Sequence, residues 1–325
     1  MSFPNTRLQR YRRDTTVREL VAENRLNPAD FVMPIFIHEG INEKQAINSL
    51  PGIFQHTLES LKQEIDDIQS ANIKAVMLFG IPTQKDPLGK EAYNPNGIIQ
   101  KAIRQIKQQS PNMIIIVDCC LCEYTDHGHC GVMDGNQLEN DKTLDLLQKT
   151  ALTYAQSGAD CIAPSGMMDG MVQAIRNVLD TNNFNQVSIM SYAVKYASQL
   201  YGPFREAAGS QDNFAGDRNH HQLQVSQRRE AIREAILDEQ EGADYLMVKP
   251  ASLYLDIIRD LREETLLPLA AYHVSGEYAM IKKAAQEGLC NEQAMFEETF
   301  LSLKRAGVDL IITYYAKKIG LHLSK

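Results

Sequence analysis

The chain has 325 residues, 44% of them hydrophobic and 23% charged, which suits one large globular domain or two smaller ones with a substantial core. A net charge of −8 argues against a general nucleic-acid-binding surface, and no apolar run approaches the roughly 18 residues needed to span a membrane. We therefore expect a cytosolic protein that has neither a nucleic-acid nor a membrane partner.

The first 30 residues precede the first predicted strand and are rich in arginine. Arginine-rich starts are typical of organelle presequences, but here Asp14 and Glu19 interrupt the segment and no cleavage pattern follows. We therefore predict that residues 1–30 form an arm of the mature protein, ahead of a catalytic domain over residues 31–325.

Eight short apolar runs recur along the rest of the chain as nearly continuous hydrophobic stretches rather than as alternating patterns. Such runs are typical of parallel strands that are buried on both faces. The runs cover residues 31–38, 75–81, 113–119, 161–165, 187–192, 245–249, 269–274 and 309–315.

Segments with helical spacing of apolar residues separate these runs. Examples are Leu61, Ile65 and Ile68; Leu144, Leu147 and Leu152; Ile232, Ile236 and Leu237; and Ile257, Ile258 and Leu261. Strand–helix alternation repeated eight times predicts an α/β protein with a closed (β/α)8 TIM barrel. A doubly wound open sheet is the alternative, but no G-x-G-x-x-G fingerprint supports a dinucleotide site in it.

One connection, over about residues 197–225, is long and polar and contains three glycines and the pair His220 and His221. A connection of this length is unusual in a compact domain and often covers an active site. We therefore predict that residues 197–225, called the long connection below, form an active-site lid.

Polar side chains stand at the ends of six predicted strands. They are Asp118, Ser165, Lys195, Lys249, Ser275 and Tyr314. Any one of them alone could be a helix cap or a turn residue. Because the carboxyl ends of barrel strands converge on one face, where catalytic sites are built, the set as a whole predicts one active site.

Four of the six cysteines lie between residues 119 and 130, which in a chain of this size indicates metal binding rather than disulfides. Cys120, Cys122 and Cys130 would supply three thiolates and leave a fourth position open, as in catalytic zinc sites. Cys119 alternates in direction with Cys120 along the strand, so we expect it to face away from the metal. The alternative is a group of reduced, buried cysteines without a metal.

Lys249 closes the apolar run 245–249, and Lys195 follows the preceding run. A lysine at the end of a buried strand loses solvation, which lowers its pKa and frees the amine to form a Schiff base with a carbonyl group. If both lysines enter one pocket, each also disfavours the charge of the other. The alternative for either lysine alone is a solvated head group on a buried stem.

Five segments resemble the porphobilinogen synthase (δ-aminolevulinic acid dehydratase) family in its zinc-dependent form: 118–130, 191–195, 201–210, 242–254 and 274–278. The resemblance runs from about Arg10 to Ala316. It implies a lyase of heme biosynthesis that condenses two molecules of δ-aminolevulinic acid to porphobilinogen with loss of two waters. It also implies a homo-octamer in which the N-terminal arm embraces a neighbouring subunit.

The resemblance also implies roles for individual residues. Lys249 would form the Schiff base with the first substrate and Lys195 with the second, while Asp118 would help with proton transfer. Cys120, Cys122 and Cys130 would hold the catalytic zinc ion, and Glu234 matches a ligand of the allosteric magnesium ion that some members carry. The substrate carboxylates would be bound by Ser275 and Tyr314 for the first substrate and by Arg205, Arg218 and Gln222 for the second.

The sequence departs from the family pattern at three positions. His221 stands where the family usually has tyrosine, Gly166 where it often has aspartate, and Asp126 where it has serine. Two rival interpretations stand beside this one. A Schiff-base aldolase with a purely structural metal would need a single essential lysine and would keep its activity after chelation. A zinc-binding relative without catalysis would serve as an assembly partner, but retention of both lysines, Arg205 and the three cysteines argues against it.

Overall fold

The structure is a computed structural model that describes residues 2–135, 137–209 and 219–324. The strands are β1 Phe31–His38, β2 Gln45–Ala46, β3 Phe54–His56, β4 Ala75–Ile81, β5 Ile114–Cys119, β6 Val132–Asp134, β7 Gln137–Glu139, β8 Cys161–Pro164, β9 Ser188–Lys195, β10 Tyr245–Lys249, β11 Leu269–His273 and β12 Leu310–Thr313. Eight of these described strands close into a parallel barrel in the order β1, β4, β5, β8, β9, β10, β11, β12, with β12 pairing back onto β1.

The described helices lie between the barrel strands, before the first of them and after the last, and most of them cover the outside of the barrel. They are α1 Thr15–Leu20, α2 Leu58–Ser70, α3 Ile98–Gln109, α4 Asn140–Ser157, α5 Met171–Thr181, α6 Gly202–Ala207, α7 Arg229–Gln240, α8 Leu255–Glu264, α9 Ser275–Gln286, α10 Glu292–Ala306 and α11 Ala316–Leu323. The predicted (β/α)8 barrel is therefore confirmed. No helix in the described part of the chain has both the length and the apolar character needed to cross a bilayer.

The eight predicted apolar runs are the eight barrel strands, and the runs 31–38, 75–81 and 245–249 match β1, β4 and β10 at both ends. The runs are continuous because side chains of one parity fill the barrel interior while those of the other parity pack under the outer helices. Helix α2 shows the complementary pattern, since Leu61, Ile65 and Ile68 are fully buried along one stripe.

Helix α7 is present where the spacing of Ile232, Ile236 and Leu237 predicted a helix, but these are not its most buried residues. Ile232 and Ile236 are half-buried and Leu237 is exposed, whereas Ala231, Ala235 and Asp238 are buried. Two alanines let the helix approach β9 closely, and the Asp238 carboxylate accepts a hydrogen bond of 2.5 Å from Ser191 Oγ on that strand. The side of α7 that packs on β9 therefore carries small residues and one buried polar pair, and the larger aliphatic side chains of the helix are less buried.

The long connection begins and ends at the carboxyl end of β9. The Leu223 amide donates to the Lys195 carbonyl at 3.0 Å, and the Ala197 amide donates to the Leu223 carbonyl at 2.9 Å. Between these points the described residues form a 3-10 turn at Gln199–Tyr201 and then α6. The connection is therefore anchored at both ends beside Lys195, over the mouth of the barrel.

Candidate active site

Lys249 and Lys195 are the last residues of the neighbouring strands β10 and β9, where they are paired Cα partners. Their side chains are only 5% and 6% exposed. The two side-chain nitrogens lie 4.9 Å and 5.7 Å from the centre of the same ring, that of Tyr192. The structure therefore brings both amines into one buried space, as the sequence predicted.

A β-bulge in β9 is what turns Lys195 toward Lys249. Leu246 pairs with Ser191 while Val248 pairs with Val194, so β9 has one residue more than β10 over this interval. In a regular strand, residues three apart point to opposite faces. The extra residue reverses that alternation, so Tyr192 and Lys195 both enter the barrel while Ser191 faces α7.

The Lys249 amine is held close to neutrality. Burial is the main cause that lowers its pKa to about 7, and the charge of Lys195 acts in the same direction. The negative charge of Asp118 opposes the shift. At pH 7 a substantial fraction of Lys249 is therefore a neutral amine, which is the form that adds to a carbonyl carbon.

Asp118 and Ser165 connect the lysines to the cysteine segment. Ser165 Oγ donates to Asp118 Oδ2 at 3.2 Å, and the Ser165 carbonyl accepts from Lys195 Nζ at 2.6 Å. Burial and then the charge of Glu123 raise the pKa of Asp118 to about 7, against the opposing effect of the two lysines. A carboxyl group with such a pKa can give or take a proton at neutral pH.

Cys120, Cys122 and Cys130 form a compact donor set. Their sulfur atoms lie within 4.8 Å of one another, and all three residues are buried. Hydrogen bonds with Cys120 and Cys130, followed by burial, raise the pKa of the Cys122 thiol well above its ordinary value. A divalent cation bound to the sulfurs would lower that pKa. Three convergent sulfurs fit a soft, tetrahedral cation. As expected, Cys119 faces away, toward the Leu147 carbonyl at 3.8 Å.

Ser275 and Tyr314 stand at the ends of the last two barrel strands. Ser275 Oγ accepts from the Phe204 amide at 3.0 Å and donates to the Leu200 carbonyl at 3.2 Å, which joins the start of α9 to the long connection. The Tyr314 hydroxyl is buried, and it makes no hydrogen bond of ordinary geometry to another described residue, although the Tyr272 hydroxyl is close enough to act on it. Because a buried hydroxyl of this kind is costly to leave unsatisfied, it is suited to a ligand oxygen.

The three residues predicted to bind the second carboxylate all belong to the long connection. Arg205 lies in α6 and is half-buried, whereas Gln222 lies near the far end of the connection and is only 4% exposed. Arg218 lies outside the described residues. The structure thus puts Arg205 and Gln222 at the two ends of a segment that begins and ends beside Lys195.

Glu234 lies on α7, away from the lysine pair. It lines a cavity of about 270 Å³ together with Gln222, His221 and Asp169, and neither lysine is among the described residues around that cavity. Burial, followed by the charge of Asp169, raises the pKa of Glu234. The structure therefore keeps the predicted magnesium position and the predicted Schiff-base position in separate surroundings.

The other two departures from the family pattern lie near the cysteines. Asp126 is exposed on the loop between Cys122 and Cys130. Gly166 has room for a side chain, because a Cβ atom built there would lie 3.7 Å from Met168 and 3.9 Å from the Cys130 carbonyl. Neither departure removes a sulfur from the donor set.

Two kinds of residue at the site were not predicted from the sequence. Glu123 joins Asp118 and Cys120 in a second group whose ligand atoms lie within 4.8 Å, and its position directly after Cys122 was the available signal. The aromatic side chains around Lys249, among them Tyr192, had no such signal. Regular alternation along the strand would have put Tyr192 on the face opposite Lys195.

Known proteins resemble this chain along nearly its whole length. The family model described as delta-aminolevulinic acid dehydratase matches residues 5–321. The chain belongs to the delta-aminolevulinic acid dehydratase family. Among its relatives, the delta-aminolevulinic acid dehydratase of Bacillus subtilis (strain 168) is 50% identical over 317 residues, covering 98% of both chains. That of Archaeoglobus fulgidus is 51% identical over 318 residues, again covering 98% of both.

A solved structure of this family has the same fold. The delta-aminolevulinic acid dehydratase (porphobilinogen synthase) of Toxoplasma gondii ME49, in complex with the reaction product porphobilinogen, superposes with a TM-score of 0.95 at 42% identity. The match covers 97% of this chain and 90% of that one. Family membership and the barrel are therefore supported independently by sequence and by structure.

Proposed function

We propose that this protein is a porphobilinogen synthase, which condenses two molecules of δ-aminolevulinic acid to porphobilinogen with loss of two waters. The observation that carries the proposal is the pairing of two buried lysines, Lys249 and Lys195, on neighbouring strands beside a trio of cysteines. The names of the relatives and the porphobilinogen bound in the Toxoplasma gondii structure support the same reaction.

Lys249 would start the chemistry with the first substrate. Its neutral amine adds to the ketone carbon, forming a C–N bond, and the ketone oxygen then leaves as water after taking up protons. The resulting iminium group withdraws electrons from the adjacent carbon, so that this carbon can lose a proton. Burial supports this role because it lowers the pKa of Lys249 to about 7.

Lys195 would bind the second substrate in the same way, and Asp118 would move protons between the reacting groups. The hydrogen bond from Lys195 Nζ to the Ser165 carbonyl holds that amine in place. Ser165 Oγ fixes the Asp118 carboxyl group, whose pKa of about 7 suits both protonation and deprotonation. One serine thus orients both partners.

Cys120, Cys122 and Cys130 would hold a zinc ion. The buried trio of sulfurs within 4.8 Å of one another fits the softness and the tetrahedral geometry of that cation, with one position left for a ligand. A zinc ion bound there would supply Lewis acidity beside Asp118 and the substrates.

The carboxylate groups of the substrates would be bound from two sides. Ser275 and the buried hydroxyl of Tyr314 are suited to the first substrate. Arg205, Arg218 and Gln222 would bind the second from the long connection, because a guanidinium group matches a carboxylate with two parallel donors. The long connection would thereby act as a lid that closes when the second substrate is present.

The remaining expectations concern assembly and regulation. The arm carries exposed apolar side chains, among them Phe3, Leu8 and Leu20, which are 73%, 62% and 77% exposed in a single chain. Such side chains suit contacts with neighbouring subunits, in an octamer whose subunits have residues 1–30 as an arm and 31–325 as the catalytic domain. Glu234 would contribute to an allosteric magnesium site. The cytosolic location stays a prediction from the sequence.

Turnover of δ-aminolevulinic acid to a pyrrole product tests the proposal. We expect the wild-type protein to form porphobilinogen and the variant Lys249→Met to lose activity by about 10³-fold or more. Lys62→Met, which changes a lysine that is 52% exposed on α2, is the matched control and should keep full activity. Absence of pyrrole formation by the wild-type protein would refute the proposed reaction.

Chelation separates the proposal from the aldolase alternative. If the metal takes part in the chemistry, its removal should abolish pyrrole formation, and zinc should restore it. An enzyme with a structural metal and one essential lysine would stay active after complete removal of the metal and would tolerate Lys195→Met.

A further inference from the structure

Four aromatic rings lie around the side-chain nitrogen of Lys249 in the part of the chain that the structure describes. The nitrogen is 4.4 Å from the ring centre of Tyr272, 4.9 Å from that of Tyr192, 5.1 Å from that of Phe204 and 5.4 Å from that of Tyr201. All four distances are within the 6 Å or so at which a cation is attracted by the face of a ring. No ion pair joins Lys249 to a carboxylate among the described residues.

The rings are held in place by different parts of the fold. Tyr192 and Tyr272 belong to β9 and β11, on either side of β10, and both are almost completely buried. The Tyr201 hydroxyl donates to the Tyr196 carbonyl at 2.7 Å and lies 3.1 Å from the Lys249 carbonyl. Backbone hydrogen bonds to Ser275 fix the segment that carries Phe204. The group is therefore built around Lys249 rather than collected there by chance.

We propose that Tyr192, Tyr201, Phe204 and Tyr272 form an aromatic cage that stabilises the iminium cation of the Schiff base on Lys249. This inference rests on the proposed function and adds four positioning residues to it. The iminium forms when the neutral amine and the ketone combine with one proton and release one water, so a positive charge appears where the free amine had none. Ring faces attract that charge and offer no proton acceptor.

A plain apolar wall is the competing explanation, since any bulky side chains would exclude water from Lys249. An apolar wall destabilises a cation at this position, whereas ring faces attract it. The two explanations therefore differ in the sign of their effect on the iminium, and replacements that keep the shape of a ring but change its charge distribution distinguish them.

The dependence on pH gives the cage a signature of its own. Above the pKa of Lys249, about 7, iminium formation converts a neutral amine into a cation, so the full effect of the rings is measured. Below it, an ammonium ion is replaced by an iminium ion, and the rings act on both. Lys195, Asp118, Cys122 and Glu123 are the charged or titratable groups that act on this amine. Because the Tyr192 hydroxyl also acts on Asp118, the rings chosen for replacement are Phe204 and Tyr272.

Trapping with levulinic acid and cyanoborohydride measures the effect, because this keto acid lacks the amino group needed to form the pyrrole. We expect 3,4,5-trifluorophenylalanine at position 204 to weaken trapping on Lys249, while circular dichroism shows unchanged folding. For Tyr272→Leu we expect trapping about tenfold weaker at pH 8.5 and only about twofold weaker at pH 6. Tyr272→Phe, which keeps the ring, is the matched control and should stay near wild type.

The outcomes separate the cage from the proposed function. If Lys249 of the wild-type protein is not trapped at all, the Schiff-base role fails and the cage fails with it. If wild-type Lys249 is trapped but fluorination at position 204 has no effect, or Tyr272→Leu loses trapping equally at both pH values, the cage alone is refuted. Phe204→Leu repeats the test on the surface-proximal helix α6, should Tyr272→Leu not fold.

Discussion

Lys195→Met tests how much the second lysine contributes to the reactivity of the first. Methionine keeps an unbranched side chain in the same space but removes the positive charge. With that charge gone, the pKa of Lys249 should rise, although burial, which is the larger cause of its low value, remains. The amine then becomes neutral, and reactive, only at higher pH.

The size of the effect follows from the geometry. The distance between the two side-chain nitrogens is about 5 to 11 Å. The lower limit is the spacing of paired strands, and the upper limit is the sum of the two distances to the centre of the Tyr192 ring. At an effective dielectric constant of about 20, two like charges at these distances repel by about 1.5 to 3.3 kcal/mol. That repulsion corresponds to a shift of about one to two pH units.

The assay is the rate of reductive trapping of Lys249 by levulinic acid as a function of pH, read by mass spectrometry of the Lys249 peptide. We expect the midpoint of the Lys195→Met profile to move to higher pH by about one to two units. Lys195→Arg keeps the charge at the same position and should have a midpoint near that of the wild type. Identical midpoints for Lys195→Met and the wild type would refute a direct effect of Lys195 on Lys249.

Three further predictions address the metal, the lid and the packing of α7. Cys122→Ala should lower bound zinc and activity together, by about tenfold or more, whereas Cys161→Ala, a buried cysteine outside the trio, should change neither zinc content nor turnover; metal analysis beside the activity assay tests this. Gly276→Ala should disturb the start of the long connection, because a Cβ atom at position 276 would lie 2.6 Å from the Leu200 carbonyl oxygen. We expect a raised KM with zinc content unchanged. Ser191→Ala should cost about 1 to 3 kcal/mol of unfolding free energy by leaving Asp238 without its donor. Burial raises the pKa of Asp238 to about 7, above its unfolded value, so the charged carboxylate destabilises the fold as pH rises through that range. The Ser191 hydroxyl offsets part of this cost, so the loss of unfolding free energy in Ser191→Ala, measured by urea unfolding, should be larger at pH 8 than at pH 5.

The sequence was sufficient to predict the barrel because its strands are buried on both faces. A continuous apolar run such as 245–249 predicts a buried parallel strand, and β10 begins and ends at the same residues as the run. The run 187–192 ended three residues too early, since β9 continues to Lys195 through a bulge. A bulge is set by pairing with the next strand, and the pattern of one strand alone does not show it.

The site was predictable where the chemistry is local in sequence. Cys120, Cys122 and Cys130 are close along the chain, and the two lysines close consecutive strands. The rings around Lys249 come from β9, β11 and the long connection, which carries two of them, and no pattern in the linear sequence links these three segments. The buried face of α7 was missed for a related reason, because alanines gave no hydrophobic signal although they allow the closest approach to β9.

The most direct test is to treat the wild-type protein with δ-aminolevulinic acid and borohydride and to map the modified peptides. If two buried amines share one cavity at the carboxyl end of the barrel, the adduct should be found on Lys249, with a second population on Lys195, and exposed lysines such as Lys62 should be unmodified. Adducts spread over exposed lysines, with Lys249 unmodified, would contradict the account.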